Sequence, residues 1–253
     1  MSEKQIYDDI GVGYAIQRRP DPRILSAITH ALGDAETVVN VGAGSGSYEP
    51  PDRNVIAVEP ALTMIRQRTP ESAPVIQARA EHLPFADATF DAGLAVLTLH
   101  HWENLNQGLR ELVRVVQGRI VILTYDPEFS GFWLVQDYFP EIHEIDRQSL
   151  PPIDEIRDFL GETNLYPVPI PHDCVDGFLG AYWRRPHMYL DERVRQAISA
   201  FSKIQDVASG VARLQRDLAN GTWAQRYGRL FKESQLDLGY RLVVRSLSKR
   251  ERE

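Results

Sequence analysis

The chain of 253 residues predicts an α/β fold. Three observations carry that prediction: short β-branched runs bounded by glycine, amphipathic helical stretches between them, and one such run that leads straight into a glycine-rich loop. Asp21 followed by Pro22 reads as a helix start, with Ile24, Leu25, Ile28 and Leu32 recurring at helical spacing up to Gly33. Buried strands are expected at Thr37 to Val41, Val55 to Val58, Asp91 to Leu97 and Arg119 to Leu123. Helices are expected at Ala61 to Arg68 and Leu105 to Val116, the second stopped by Gly118. Strands alternating with helices imply a parallel sheet covered on both faces.

Beyond Tyr125, Ile153 to Leu160 reads as a helix, and Tyr166 to Ile170 as a proline-bearing edge strand. Tyr240 to Leu247 reads as the last strand. Between these two strands, Val194, Ile198 and Phe201 form one helical stripe, and Val207, Val211, Leu214 and Leu218 another. Residues 1–171 and 236–253 are therefore read as the core, and 172–235 as a helical insertion without strands, a lid over the crevice.

Composition excludes several classes. With 43% hydrophobic and 25% charged residues the chain should fold as a globular body. A net charge of −7 without a basic run argues against nucleic acid as a partner. No apolar stretch approaches the ~20 residues needed to span a bilayer, and Met1 to Gln5 is polar, so a soluble, cytoplasmic protein is expected, as monomer or homodimer. The single cysteine, Cys174, has no neighbours at metal-binding spacing, and no metal is expected.

The run Val38-Val39-Asn40-Val41-Gly42-Ala43-Gly44-Ser45-Gly46 allows a ligand to lie against bare backbone at the carboxyl end of the first strand, although a tight turn uses the same residues. A dinucleotide site requires G-x-G-x-x-G, but Ser47 occupies the third glycine position. Pro50 and Pro51 then interrupt the segment where a phosphate-binding helix should start. A ligand without phosphate does not need that helix. Glu59 ends the second strand 17 residues after Gly42, the distance at which a carboxylate accepts both ribose hydroxyls of an adenosine; a solvated acid is the competing reading.

Together, residues 39–46, Val55-Ile56-Ala57-Val58-Glu59-Pro60 with Met64, Ala78-Arg79-Ala80-Glu81-His82-Leu83-Pro84-Phe85 with Phe90-Asp91, and Leu97-Thr98-Leu99-His100-His101-Trp102 resemble the class I S-adenosylmethionine-dependent methyltransferases of the quinone-biosynthesis-like, type 11 group. The resemblance implies a Rossmann-like seven-stranded, mostly parallel sheet whose last strand is antiparallel. It also implies S-adenosylmethionine as cofactor. Gly42, Ala43, Gly44 and Gly46 would then pass under the methionine and ribose, and Glu59 would hold the ribose. Pro60 and Met64 would flank the adenine, Ala80 and Glu81 would lie at its polar edge, and the Leu97 carbonyl near its amino group. Asn40 stands where the family usually has Asp, which keeps hydrogen bonding but loses the charge. Tyr7 to Pro20 resembles the family's lead-in: Arg18 or Arg19 could pair with the cofactor carboxylate, and Tyr14 could lie near the sulfonium.

Methyl transfer from a sulfonium is an in-line displacement in which alignment can supply about 7–11 kcal/mol, so a general base is optional. His100 and His101, just after the fourth strand, are the candidates if a proton must leave, along with Tyr14 as a catalytic neighbour; capping and packing are the alternatives for the histidines. Tyr7, Trp102, Trp183 and Arg184 are the candidates on the side of a small-molecule acceptor. A nicotinamide-dependent oxidoreductase and a non-catalytic S-adenosylmethionine-binding protein are the rival readings.

Overall fold

The computed structural model of the chain describes residues 19–247. Helix α1 (Pro22–Leu32) starts at Asp21, whose side chain accepts the Arg23 N–H, and ends at Gly33. Strands β1 (Thr37–Val41) and β2 (Asn54–Val58) follow, then the short helix α2 (Leu62–Ile65). The helix ends three residues before the expected Arg68 because its last bonds tighten to the i−3 pattern, Gln67 N–H to Met64 and Arg68 N–H to Ile65.

After β3 (Val75–Ile76) and β4 (Phe90–Val96), helix α3 (Leu105–Val115) passes straight into β5 (Val116–Tyr125). Gly118, expected to stop the helix, instead lies inside the strand. A Cβ there would stand 2.6 Å from the Asp91 carbonyl oxygen, so the glycine permits close strand pairing beside the irregularity between Phe90 and Ala92.

Helices α4 (Trp133–Asp137), α5 (Glu141–Ser149) and α6 (Ile153–Leu160) lead to β6 (Asn164–Pro167) and β7 (Ile170–Pro171). The single edge strand expected over 166–170 is thus two pieces. The last bond to the final strand comes from the Val168 N–H to the Tyr240 carbonyl, and Pro169 then has no N–H to continue the ladder. The insertion holds α7 (Glu192–Gln196), α8 (Ser199–Ser202), α9 (Val207–Ala219) and α10 (Thr222–Tyr227), with 3₁₀ turns between. It is not strand-free as expected: β8 (Gln235–Leu236) pairs with β7 before β9 (Tyr240–Ser246) closes the main sheet.

The main sheet has the order β3-β2-β1-β4-β5-β9-β6, with β9 antiparallel to both neighbours and β1 to β5 parallel, as the resemblance implies. The order reverses between β1 and β4, which opens a crevice at their carboxyl ends. Alternation along the strands divides the core in two. Val38, Val121 and Leu123 face α1 and the aromatic side chains of the insertion, whereas Val39, Val41, Ile120 and Ile122 face α3 and α6. Cys174 is buried in the first of these layers. Among the described residues, no helix is long and apolar enough to cross a membrane.

Candidate functional site

The glycine loop leaves β1 with the N–H groups of Gly42 and Ala43 both donating to the Val58 carbonyl at the end of β2. Two glycines serve different ends. Gly42 has φ 73°, and a Cβ on it would collide with the buried Thr98 side chain at the exit of β4, so its bareness lets β1 and β4 approach. Gly44 has φ 54°, and only the mobile tip of Met64 comes near the place of a Cβ, at 3.4 Å. Its open side belongs to the crevice. From residue 42 to 53 the chain makes turns and bends and no helix, so no helix N-terminus is offered to a pyrophosphate.

Glu59, only 7% exposed, sits directly below this loop. One carboxylate oxygen accepts the Gly44 N–H at 2.8 Å and the other the Ala61 N–H at 2.9 Å. Each oxygen keeps a second lone pair. Burial pushes the Glu59 carboxyl above its usual range, against the opposing pull of these two hydrogen bonds and of the charges of His101 and Arg68. The Arg68 guanidinium props the loop from behind: it donates to the Gly44 carbonyl at 3.1 Å and to that of Ala73 at 2.9 Å, and forms a buried ion pair with Glu49 at 2.6 Å. Glu49 also accepts the Ala73 N–H. Nothing in the sequence separates Glu49 or Arg68 from a solvated charge.

Asn40, 1% exposed on β1, has no hydrogen-bond partner for either polar atom of its side chain among the described residues. Such a group is costly unless something pairs with it. At the exit of β4, Leu97 takes φ 50°, unusual for a branched side chain, with its N–H held by the Leu123 carbonyl. The next residues form a 3₁₀ turn that brings the rings of His100 and His101 together, centroids 3.8 Å apart and planes tilted by 51°. Burial, His101 and Lys203 hold His100 well below the usual histidine range. Met64 and Ala80 are buried nearby and Pro60 is exposed, while Glu81 spends one carboxylate oxygen on the Asn104 N–H.

Comparison with known proteins gives this geometry a family. A model described as a methyltransferase domain matches residues 39–122. A putative methyltransferase from an antibiotic biosynthesis pathway of Anabaena variabilis ATCC 29413 is 33% identical, with a TM-score of 0.83, over 91% of this chain and 99% of that one. The chain belongs to the class I, type 11 methyltransferases. A demethylmenaquinone methyltransferase of Corynebacterium kroppenstedtii is 28% identical over 47% of this chain and 52% of its own length. A possible histamine N-methyltransferase of Thermotoga maritima shares the fold, with a TM-score of 0.53 at 14% identity over 97% of this chain and 95% of that one. The chain spans about half the length of the curated relatives it matches.

Family and fold imply the use of S-adenosylmethionine. The residues of this methyltransferase fit that cofactor: Gly44 leaves open space beside the loop, Glu59 keeps a spare lone pair on each oxygen, and the buried amide of Asn40 has no partner among the described residues. Tyr7, Tyr14 and Arg18 lie outside the described residues. The acceptor-side candidates are not brought together. Trp183, 0% exposed, gives its indole N–H to the carbonyls of Ile170 and Pro171, so it presents no surface to an acceptor and packs the insertion instead. Arg184 is turned to the carbonyls of Phe231 and Glu233 and to His172. Trp102 packs over Gly108 on α3, and its indole N–H is buried without a partner among the described residues.

Proposed function

We propose that this chain transfers a methyl group from S-adenosylmethionine to a small-molecule acceptor. The observation that carries the reading is the Glu59 carboxylate, buried beside an open glycine and pinned by two backbone N–H groups, with a lone pair left over on each oxygen. In this reading Glu59 holds the ribose, Gly42, Ala43, Gly44 and Gly46 pass under the cofactor, and Asn40 pairs with its amino-acid end. Met64, Pro60, Ala80, Glu81 and Leu97 border the adenine. When bound, the cofactor supplies a methyl group already activated on a sulfonium.

The chain's own residues then have to align the acceptor and keep water out, a task worth up to about 7–11 kcal/mol. His100 stays a neutral imidazole at physiological pH, because burial and two basic neighbours oppose its charged form. It orients an acceptor proton by hydrogen bonding rather than storing it. Residues 172–235 cover the acceptor end, and the acceptor is proposed as a small molecule rather than a nucleic acid, in keeping with the net charge of −7.

Thermal unfolding with added cofactor tests the reading. S-adenosylmethionine at 100 times its dissociation constant should stabilise the protein by about 2.7 kcal/mol, and NADH should not. Stabilisation by NADH alone would move the chain to the oxidoreductases.

A further inference from the structure

Tyr48 stands in the glycine loop two residues after Gly46, in the left-handed region at φ 61°, and is 1% exposed. A bulky residue keeps such a conformation only where its surroundings over-determine it. Here they do. Its hydroxyl donates to the Asp176 carboxylate at 2.7 Å and accepts the backbone N–H of Asp21 at 3.3 Å. Asp176, also 1% exposed, belongs to the insertion, and its second oxygen accepts the Gly177 N–H at 2.7 Å. Burial and the Asp176 charge push the Tyr48 phenol far above its usual range, so it remains the donor.

The same stretch of insertion is tied down on both sides of Asp176. The Val175 N–H donates to the Asp21 carboxylate at 3.2 Å, and Arg23 links Asp21 with Asp173. Tyr48 meanwhile lines one small gap together with Ile24, Leu97 and Phe178, residues of α1, the exit of β4 and the insertion. A shift of residues 173–177 is therefore passed to the loop after Gly46 through the hydrogen bond between Asp176 and the Tyr48 hydroxyl.

We infer that Tyr48 and Asp176 are positioning residues through which the insertion sets the shape of the glycine loop and thereby its affinity for S-adenosylmethionine. The inference rests on the cofactor reading above. It has a reciprocal consequence: any acceptor that shifts residues 173–177 changes cofactor affinity, and the cofactor changes acceptor affinity by the same factor.

Titration calorimetry with S-adenosylmethionine, well below the unfolding temperature, tests it. Tyr48→Phe keeps the ring and removes the hydroxyl; it should weaken binding about tenfold. Asp176→Ala should do the same, and the double variant should lose about tenfold rather than a hundredfold, because both changes remove one link. Ile28→Val, which loosens the same core face without touching the link, should lower the unfolding temperature and leave affinity unchanged. Affinity within twofold of the parent in folded Tyr48→Phe, or a hundredfold loss in the double variant, overturns the inference while leaving the cofactor reading intact. Should Asp176→Ala fail to fold, Tyr48→Phe against Ile28→Val decides alone. A parent protein that does not bind S-adenosylmethionine overturns both.

Discussion

Around the glycine loop, backbone N–H groups meet buried carboxylates: Gly44 and Ala61 on Glu59, Ala73 on Glu49. Between α4 and the insertion, aromatic rings meet one another. Trp133 makes edge contacts with Tyr138, Tyr189 and Trp223, and Trp183 closes the layer beneath. The first region depends on particular atoms at particular distances, so few residue types will serve at each position. The second depends on filled volume and buried area, which many aromatic arrangements satisfy. Specific chemistry therefore leaves a readable pattern in one half and only bulk in the other.

The largest expected effect tests the packing side of this contrast. Trp183→Ala should destabilise the protein by about 3–5 kcal/mol in denaturant unfolding, since it empties a fully enclosed site and strands the carbonyls of Ile170 and Pro171. A variant of unchanged stability that turns over acceptor poorly would return Trp183 to the acceptor pocket and break the comparison.

On the other side, Glu59→Ala should weaken S-adenosylmethionine binding by on the order of 2 kcal/mol in calorimetry, because charge-assisted hydrogen bonds are lost and the Gly44 N–H is freed. Glu59→Gln should recover part of this. Its one remaining oxygen can still accept from the loop, but it cannot also receive the Ala61 N–H through a second acceptor atom. Unchanged affinity in the alanine variant would take Glu59 out of the site.

The packing of α5 beside the insertion carries a third test. Asp146 on α5 is half-buried, and burial pushes its carboxyl up to about 6 despite the opposing charge of Lys203 from the insertion. A folded-state pKa above the unfolded one means that the folded protein binds more protons between about pH 4 and 6, so this group's contribution to stability falls as pH rises through that window. The loss is on the order of 1–2 kcal/mol, allowing for partial exposure. Asp146→Asn should remove it, and be more stable than the parent at pH 7. Equal pH dependence in the two proteins would mean that α5 and the insertion leave Asp146 open to water in solution.

The sheet was legible because β-branched runs and glycine stops encode buried parallel strands directly: Thr37 to Val41 is the strand found, and α1 and α6 keep their expected limits. Apart from the early end of α2, the misread elements depend on tertiary context. Gly118 looks like a helix stop in one dimension and is a strand approach in three; the segment expected as one strand is divided between two partners, β9 and β8. At the proposed site, spacing singled out Glu59 and the glycines as candidates, but not Tyr48. Its partner lies 128 residues away in the insertion, and neither residue belongs to a motif.

The smallest expected change in stability sharpens the reading of the loop itself. Gly44→Ala places a Cβ at φ 54°, which costs about 1 kcal/mol in backbone strain, and meets only the flexible end of Met64. The fold should survive with little loss. Yet the new methyl group enters the open side of the loop, the space the proposed cofactor occupies, so S-adenosylmethionine affinity should fall at least about tenfold, or 1.4 kcal/mol. Stability and binding would then respond in opposite proportion to Trp183→Ala, where stability suffers most. Measuring both quantities in both variants separates a glycine kept for the ligand from one kept for the turn. If Gly44→Ala binds as tightly as the parent, the bare backbone at residue 44 serves the turn alone, and Glu59 must hold its ligand from a different side of the crevice.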